Sequence, residues 1–398
     1  MSRERVLIAG AGPVGLVAAT LLAEAGIPVT LVEAERELPT DLRASTFHPP
    51  TLDMLDRLGL AAPLVEQGLI CPQWQFRDRA TGPVATFDLS LLKDETAHPF
   101  RLQCEQWRLA RMLRDRLEQH PDVTLLYGAR ATAAEQDADG VRLTLTLAGG
   151  GEEVLEGRYL IGADGAHSAV RKAAGAVMEG QTIPELFLTL STTFAYHEVM
   201  PDLTSIAYIS DPQEWFVLLR TASLWRLLLP TPQDEPEDVM LSEARIQARM
   251  QEVWPRAGGY EIRHRTAYRV HERVADRYVS GRILLAGDAA HLNNPLGGMG
   301  MNGGVHDAFN LAEKLIAVWR GADPALFGRY ERQRRKVALE VVQAQTLRNR
   351  ATLNQRDPEV RRAALDDLRA TAEDPARHKA YLMRSSMIAS LRELDSVA

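Results

Sequence analysis

Cysteine is scarce in this chain of 398 residues, which contains only Cys71 and Cys104. Two cysteines can build neither a disulfide framework nor a cysteine-rich metal cluster, and such low usage is typical of a reducing compartment. We therefore predict no metal site and a cytoplasmic location. The first residues run directly into an apolar strand pattern, so no signal peptide is expected before it.

Long hydrophobic runs and an excess of positive charge are also missing. No stretch approaches the roughly 20 apolar residues that span a bilayer, so stable membrane insertion is not expected. The net charge is −7, whereas a protein that binds nucleic acid usually has a basic face. Because 45% of the residues are hydrophobic and 25% are charged, the composition is that of an ordinary globular protein of two or three domains.

The first candidate binding site is a glycine-rich turn between an apolar strand at residues 6–9 and an amphipathic helix. The motif reads Gly10-Ala11-Gly12-Pro13-Val14-Gly15. The first glycine allows the tight turn, the second lets a pyrophosphate approach the backbone, and the third lets the helix pack on the strand. Glu33, followed by Ala34, ends the next strand and can accept hydrogen bonds from ribose hydroxyls. The motif alone does not separate FAD from NAD, and a turn without a ligand is the alternative.

Two later segments each have the pattern of a buried strand that ends in an acidic turn. The segments are residues 158–168, with Asp164, Gly165 and His167, and residues 281–291, with Gly287 and Asp288. Together with the first motif, the order GxGxxG, Asp-Gly, Gly-Asp-Ala-Ala-His resembles the class A flavoprotein monooxygenases, the family of 4-hydroxybenzoate hydroxylase. The resemblance extends from residue 1 to about residue 325.

This resemblance implies cofactor roles for individual residues. Asp288 matches the residue that binds the ribityl chain of FAD, and Asp164 with Gly165 matches the motif that contacts both FAD and the nicotinamide nucleotide. Arg43 matches an arginine that reaches the FAD pyrophosphate, and Gln103 matches a glutamine near the ribityl or phosphate region. The alternatives are a helix N-cap for Asp164 and a surface ion pair for Arg43.

A third glycine-rich segment, residues 295–304, follows the Gly-Asp turn. Its five glycines let the backbone lie against a flat ring, and backbone N–H groups at the start of the next helix can stabilise a reduced flavin. The residues predicted to surround the flavin are Pro295, Gly298, Gly300, Met301 and Asn302. The resemblance also implies that the carbonyl of Pro295 contacts the reacting ring. A flexible surface loop is the alternative.

The family resemblance implies a monooxygenase that uses FAD, NADPH or NADH, and O2 to hydroxylate a small phenol-like or heteroaromatic substrate through a flavin hydroperoxide. The second GxGxxG motif of a separate nucleotide domain is missing, which fits transient docking of the nicotinamide nucleotide on the FAD domain. His167 is either a contact to that nucleotide or an exposed turn residue. Other chemistry on the same fold (an epoxidase, a quinone-pathway hydroxylase or an isoprenoid reductase) and a flavin-binding protein without turnover are the alternatives.

The expected fold class is α/β, with a Rossmann-like FAD-binding domain of the GR2 type, an inserted antiparallel-sheet substrate domain and C-terminal helices. Residues 183–230 are rich in β-branched and aromatic residues, which is typical of antiparallel sheet. The predicted divisions are residues 1–70, 102–178 and 266–325 for FAD, 71–101 and 179–265 for the substrate, and 326–398 for the helices.

Substrate-side residues are harder to predict. The candidates for catalysis or substrate contact are His48, Tyr208, Arg220 and Pro295. Arg220 or Arg101 can bind an aryl carboxylate, with a surface arginine as the alternative, and His48 is either a base or structural. Most of the aromatic residues Tyr196, Trp215 and Phe216 are expected in the core.

The C-terminal helices carry one apolar pattern at helical spacing. It consists of Met383, Met387, Leu391 and Leu394, and we interpret it as core or as a contact between subunits of a homodimer, not as a cofactor site. A monomer or a homodimer is therefore expected.

Overall fold

The computed structural model of the chain describes residues 3–40, 44–232 and 234–397. In these ranges the strands are β1 (Val6–Ala9), β2 (Val29–Val32), β3 (Thr46–Phe47), β4 (Leu69–Cys71), β5 (Gln73–Asp78), β6 (Gly82–Asp88), β7 (Arg101–Gln103), β8 (Val123–Leu126), β9 (Ala129–Gln136), β10 (Val141–Leu147), β11 (Glu152–Gly157), β12 (Tyr159–Gly162), β13 (Met178–Thr192), β14 (Ile206–Ser210), β15 (Phe216–Arg220), β16 (Trp225–Thr231), β17 (Ile262–Ala275), β18 (Val279–Ser280), β19 (Ile283–Leu285) and β20 (His291–Leu292).

The helices in the same ranges are α1 (Pro13–Glu24), α2 (Pro49–Asp56), α3 (Ala61–Gln67), α4 (Gln106–Glu118), α5 (Ala169–Ala173), α6 (Tyr196–Val199), α7 (Glu237–Met240), α8 (Glu243–Val253), α9 (Met299–Trp319), α10 (Leu326–Lys336), α11 (Ala344–Leu353), α12 (Pro358–Glu373), α13 (Pro375–Ser385) and α14 (Ile388–Glu393). Short 3₁₀ turns occur at Leu89–Leu92, Gly287–Ala289 and Leu394–Ser396, and Val337–Gln343 is π-helical. In the described part of the chain, no helix is long and apolar enough to cross a membrane.

The first layer is a six-stranded sheet in the order β18-β19-β12-β1-β2-β8. All neighbours are parallel except β18 and β19. The strands β1, β2 and β12 are buried along their whole length, which is why they consist of apolar runs without alternation. The predicted βαβ unit of β1, α1 and β2 is confirmed, and the carboxyl ends of five parallel strands meet at one edge of the sheet.

The second layer is an eight-stranded sheet in the order β20-β17-β13-β16-β15-β14-β5-β6. Its neighbours are antiparallel except β14 and β5. The side chains of β14 alternate between two cores: Ile206 and Tyr208 belong to one, and Ala207 and Ile209 to the other. This alternation is the pattern of a sheet covered on both faces, so an antiparallel substrate domain was the correct prediction apart from one parallel pair.

The predicted domain divisions do not coincide with the ends of strands. Residue 266 falls inside β17, which runs without interruption from residue 262 to 275. The divisions at residues 70/71 and 101/102 cut through β4 and β7, which pair with each other and join β3 in a small antiparallel sheet. The remaining strands form the antiparallel sheet β11-β10-β9.

The C-terminal helices close over the substrate sheet instead of forming a separate unit. Helix α13 places Tyr381 against Phe87 of β6, with ring centroids 4.5 Å apart. The predicted apolar pattern is interrupted, because the chain takes a left-handed conformation at Met387 between α13 and α14. Met387 and Leu394 are buried and Leu391 packs against their cluster, which confirms a core role for this part of the pattern.

Candidate active site

Three segments that lie far apart in the sequence meet at the carboxyl edge of the six-stranded sheet. The turns after β1, β12 and β19 contain Gly10, Asp164 and Gly287. A Cβ atom at Gly10 would overlap the carbonyl oxygen of Ala163 and lie 3.0 Å from the Cα of Asp164. A Cβ at Gly287 would lie 2.9 Å from the side chain of Val14. The carboxyl edge of a doubly wound sheet is where such folds bind nucleotides.

The first glycine-rich turn has the shape that a dinucleotide requires. Gly10 adopts φ +101°, which favours glycine, and a side chain at Gly15 would collide with the carbonyl oxygen of Gly10. Gly12 differs from both, because a Cβ there has no neighbour within 4 Å. Gly12 is also the N-cap of α1, without a side-chain cap. Free N–H groups therefore face open space at the positive end of a helix, which suits a pyrophosphate.

Glu33 follows β2 at the same edge and is already held by backbone donors. Its carboxylate accepts hydrogen bonds from the N–H of Ala11 at 2.7 Å and of Glu35 at 3.0 Å. The first contact links the end of β2 to the glycine-rich turn. The side chain remains partly exposed, so it can still accept a hydrogen bond from a ribose hydroxyl.

Asp164 supports the start of helix α5. Its carboxylate accepts hydrogen bonds from the backbone N–H of Ala169 at 2.7 Å and Val170 at 3.2 Å, and from the hydroxyl of Ser168 at 2.5 Å. The N-cap of α5 is Ser168, and Asp164 adds acceptors for the first turn of the helix, while the turn itself lies next to Gly10. Asp288 is exposed in the turn after β19, where it can reach a ligand in the cleft.

A buried ionic network supports the turn that carries Asp288. Asp307 of α9 is fully buried and accepts hydrogen bonds from the N–H of Gly287 at 3.0 Å, His291 Nε2 at 2.7 Å and Arg334 Nε at 2.5 Å. Burial is the largest single influence on Asp307 and would raise its pKa, but the charges and hydrogen bonds of Arg334 and His291 together outweigh it and keep the pKa well below its usual range. His291, predicted to pack or bond locally, is confirmed in that role.

The third glycine-rich segment is shorter than predicted, because helix α9 already begins at Met299. Only Gly297 and Gly298 lie in the turn, with φ +111° and +68°. Gly304 lies inside the helix, where a Cβ would lie 2.6 Å from the side chain of Val14. These internal glycines let α9 pack on the first turn of α1. At the start of α9, the backbone N–H groups of residues 299–301 are the ones that can stabilise a flavin.

His48 is held within the protein, and its role as a base stays a prediction. The side chain is completely buried, Nε2 bonds to the carbonyl oxygen of Gly297 at 2.8 Å, and burial lowers the pKa of His48 well below its usual value. The backbone N–H of His48 donates to Asn302 Oδ1 at 2.9 Å. His48 therefore holds the Gly297 turn and does not face the cavity described below.

Gln103 and Asn302 are also fully buried, and their amides are used within the protein. Gln103 accepts a hydrogen bond from Ser45 Oγ and donates one to Thr46 Oγ1, at 2.9 and 2.8 Å. Asn302 donates to the carbonyl oxygens of Thr46 and Gly298 at 2.8 and 2.6 Å. Both side chains thus position β3 and the turn at Gly297 and Gly298, and the predicted contact of Gln103 with the cofactor stays a prediction. Arg43 lies outside the described residues.

A small cavity opens beside the Gly297 turn. Its walls are formed by Trp74, Phe76, Arg101, Tyr208, Gly297, Met299, Gln345, Asn349, Tyr381 and Ser385. The volume is about 10 Å³, about the space of one water molecule, so a ring enters only when flexible side chains such as Met299 move. The aromatic walls and the adjoining turn at Gly297 and Gly298 make this cavity the candidate substrate pocket.

The two candidate arginines differ in their position relative to the cavity. Arg101 lines the cavity and is 2% exposed, with Nε and Nη1 buried without a hydrogen-bond partner. Within the described ranges its guanidinium has no carboxylate partner and lies over the ring of Trp74 at 5.0 Å. Arg220 does not line the cavity, and its role as a substrate residue stays a prediction. A charge that is buried without a counterion favours an anionic ligand.

Tyr208 lies in the pocket as predicted, whereas Pro295 does not line it. The carbonyl oxygen of Pro295 accepts a hydrogen bond from Gly298 N–H at 3.0 Å, so the proline shapes the turn. Trp215 and Phe216 are core residues, as is Tyr196, which confirms that expectation.

Sequence reasoning missed the part of the pocket that comes from the C-terminal helices. These residues are Gln345, Asn349, Tyr381 and Ser385. Burial raises the pKa of Tyr381 to about 12, so its hydroxyl stays protonated and can donate a hydrogen bond. No local signal in the sequence marks these positions, because they alternate with the charged and apolar residues of ordinary amphipathic helices.

Comparison with known proteins agrees with this geometry. The FAD binding domain family matches residues 3–345. The para-nitrophenol 4-monooxygenase of Pseudomonas sp. (strain WBC-3) is 34% identical over 365 residues, which cover 89% of this chain and 88% of the relative. The 6-hydroxy-3-succinoylpyridine 3-monooxygenase of Pseudomonas putida (strain DSM 28022 / S16) is 33% identical, with 89% and 90% covered. The crystal structure of p-nitrophenol 4-monooxygenase from Pseudomonas putida DLL-E4 has a TM-score of 0.92 at 29% identity and covers 98% of both chains.

The fold and the converging turns define an FAD-binding oxidoreductase. The chain belongs to the class A FAD-dependent monooxygenases, the aromatic hydroxylases, as the sequence motifs predicted. Enzymes of this family use FAD, with NAD(P)H as the reductant and O2 as the source of the oxygen atom.

Proposed function

We propose that this enzyme hydroxylates a single-ring phenol or hydroxylated heteroaromatic that binds as an anion. The observation that supports this proposal most directly is the buried, unpaired guanidinium of Arg101 in a cavity with the aromatic walls Trp74, Phe76 and Tyr208. A guanidinium keeps its charge at every physiological pH. An anionic oxygen on the ring would therefore remove the cost of burying that charge alone.

The aromatic walls and the guanidinium have separate tasks. Trp74 and Phe76 hold the ring and keep water out, and Arg101 stabilises the deprotonated hydroxyl, which lowers the pKa of the bound phenol. Loss of that proton makes the ring richer in electrons and a better target for an electrophilic oxygen. Tyr381, protonated by virtue of its raised pKa, donates a hydrogen bond that orients the substrate. Bound FAD supplies electron transfer and oxygen activation.

The names of the relatives support an acidic phenol. They include a nitrophenol and a pentachlorophenol monooxygenase, and both ring systems carry electron-withdrawing groups that promote ionisation. Relatives named for anhydrotetracycline are also similar to this chain, but the match covers 71% of their length against 88% of the nitrophenol enzyme.

The ionisation of a bound probe tests the role of Arg101. We expect 4-nitrophenol, whose phenolate absorbs visible light, to bind the FAD-loaded enzyme with its pKa lowered by about one unit or more. Arg101→Met should abolish this shift, and Arg220→Met, the matched control outside the cavity, should leave it intact. An unshifted pKa in the wild type, or an equal effect of both variants, would refute the proposal.

The assignment of FAD contacts is part of the same proposal. The N–H groups at Gly12 hold the pyrophosphate, Glu33 the adenosine ribose, Asp288 the ribityl chain, and residues 299–301 the pyrimidine edge of the flavin. The open space at Gly12 and the exposure of Asp288 support these contacts. We propose that the six-stranded sheet belongs to the FAD domain. The eight-stranded sheet, which includes β13, β17 and β20, belongs to the substrate domain.

The nicotinamide nucleotide is proposed to dock on a cationic surface beside the Asp164-Gly165 turn, formed by His167, Arg269, His271 and Arg273. His167 and Arg269 are exposed. The pKa of His271 is lowered by its burial and by the charges of Arg273, His167 and Arg269. This influence supports a close spacing of the four side chains. The Nε atom of Arg273 is buried without a partner. Such a surface suits the phosphates of NADH or NADPH.

Steady-state kinetics test this docking surface. Arg269→Gln should raise KM for NADPH or NADH several-fold and leave KM for the aromatic substrate unchanged, because Arg269 lies outside the substrate pocket. Arg263→Gln, an exposed arginine further along β17, is the matched control. A rise in the aromatic KM alone would contradict the assignment.

We also propose a cytoplasmic location and a monomer or homodimer. Both cysteines are buried free thiols, which supports a reducing compartment. Size-exclusion chromatography with light scattering measures the oligomeric state directly.

A further inference from the structure

A second cavity, of about 470 Å³, lies between helices α1, α2, α9, α10 and α14. It shares no lining residue with the substrate pocket. Its apolar walls are Leu21, Met54, Phe309, Ala312, Ile316, Leu391 and Leu394. The volume lies in the range of small-molecule sites in proteins, and the established chemistry assigns it no occupant.

Lys314 is an anomaly in this cavity. The residue is 5% exposed, and its ammonium group donates one hydrogen bond, to the carbonyl oxygen of Asn310 at 3.3 Å. In residues 3–40, 44–232 and 234–397 no carboxylate forms an ion pair with it. Burial lowers the pKa of Lys314, which is the physical signature of a charge that lacks compensation. Lysine is almost never buried in proteins unless it is paired.

Two more cations line the same cavity. The guanidinium of Arg57 lies over the ring of Phe309 at 5.4 Å. Arg329 donates to the backbone carbonyls of Val397 and Asp395, at 3.1 and 3.4 Å. Within the described chain, neither arginine forms an ion pair with a carboxylate side chain.

The cavity also contains two carboxylates and a buried imidazole. Glu313 and Asp395 both line it, and they raise the pKa of Lys314 only as weaker influences than its burial. His306 is 1% exposed, and its Nδ1 has no hydrogen-bond partner. Three cations against two carboxylates leave the lining with an excess of positive charge.

We propose that this cavity is a second, non-catalytic binding site for a small organic anion with an apolar body, such as a carboxylate on a hydrocarbon chain or ring. The anionic group would pair with Lys314 and with Arg329, the lining arginine that acts electrostatically on Lys314, and the apolar body would contact Leu21, Met54 and Ile316. This arrangement compensates the buried ammonium group and covers the apolar walls in one step.

Isothermal titration calorimetry on the FAD-loaded enzyme tests the site with octanoate as the probe. We expect one octanoate per chain and no heat from 1-octanol at equal concentration, because the anionic group carries the recognition. Lys314→Met should weaken octanoate binding by about tenfold or more. The controls are Lys336→Met, a partly exposed lysine beside Glu340, and Arg101→Met in the substrate pocket, and both should bind octanoate like the wild type.

The stability of the same variants separates a binding role from a structural one. Without octanoate, Lys314→Met should have a thermal midpoint equal to or above that of the wild type, because an uncompensated buried charge has been removed. If Lys314→Met fails to fold, the ammonium group is structural, and Arg329→Met then decides whether octanoate affinity depends on the cavity. The absence of octanoate binding, or equal affinity in Arg329→Met and the wild type, overturns the proposal.

Discussion

His306 gives a quantitative prediction for the stability of the enzyme in acid. Its Nε2 bonds to Thr51 Oγ1 at 2.8 Å. Burial, with a smaller influence of Arg334, lowers the pKa of His306 from 6.5 to about 3. The native state therefore excludes a proton that the unfolded state binds below pH 6.5. This contribution to stability is complete above pH 7 and declines as the pH falls from 6.5 towards 3.

The size of the effect follows from the two pKa values. Each pH unit below 6.5 costs about 1.36 kcal/mol, so the native state loses about 2 kcal/mol at pH 5 through this one group. Burial of His48 acts in the same direction and makes the total larger.

Urea unfolding at pH 8 and pH 5, with FAD in excess, measures this loss. Between the two pH values, the free energy of unfolding of the wild type should fall by about 2 kcal/mol more than that of His306→Gln, whose amide can replace the bond to Thr51. His120→Gln, at a solvent-exposed hydrogen bond, is the control and should follow the wild type. Equal pH dependence in His306→Gln and the wild type would refute the reasoning.

Three further substitutions test the cofactor and substrate sites. Asp307→Asn leaves Arg334 buried without its counterion and should cost about 3–5 kcal/mol, seen as a lower thermal midpoint and weaker FAD fluorescence quenching; unchanged values would contradict the network. Tyr381→Phe should raise KM for the aromatic substrate several-fold with unchanged FAD affinity, and a loss of FAD instead would place Tyr381 elsewhere. Gly304→Val should abolish FAD binding because its side chain separates α9 from α1, whereas Gly303→Ala, with only ordinary contacts at 3.4 Å or more, should bind FAD normally.

The cofactor site was largely predictable because its determinants are local in the sequence. A glycine such as Gly10 is required by its own φ of +101°, and Glu33 is located by the end of its own strand. Strand ends in a parallel sheet meet at one edge, so the motifs identify the cleft without knowledge of the rest of the fold. The roles of Gln103 and His48 were not predictable, because side-chain burial depends on distant partners such as Ser45 and Gly297.

The substrate pocket could not be predicted from the sequence, because its walls come from segments without motifs. Arg101 and Arg220 are equivalent as sequence features, and only the pairing of β7 with β3 and β4 buries one of them beside Trp74. Tyr381 reaches the cavity only through the packing of α13 on β6. The start of α9 at Met299 was missed because its glycines weaken the helical pattern.

The convergence of the glycine-rich turns on one FAD is tested most directly by titrating the apoprotein of Gly12→Val with FAD. A side chain at Gly12 meets no protein atom within 4 Å and the residue has φ −70°, so the variant should fold with a wild-type circular dichroism spectrum. The account predicts that FAD affinity falls at least about a hundredfold, about 2.7 kcal/mol, while Gly149→Val, a second glycine with open space around its Cβ, binds one FAD per chain like the wild type. Normal FAD binding by folded Gly12→Val would contradict the account.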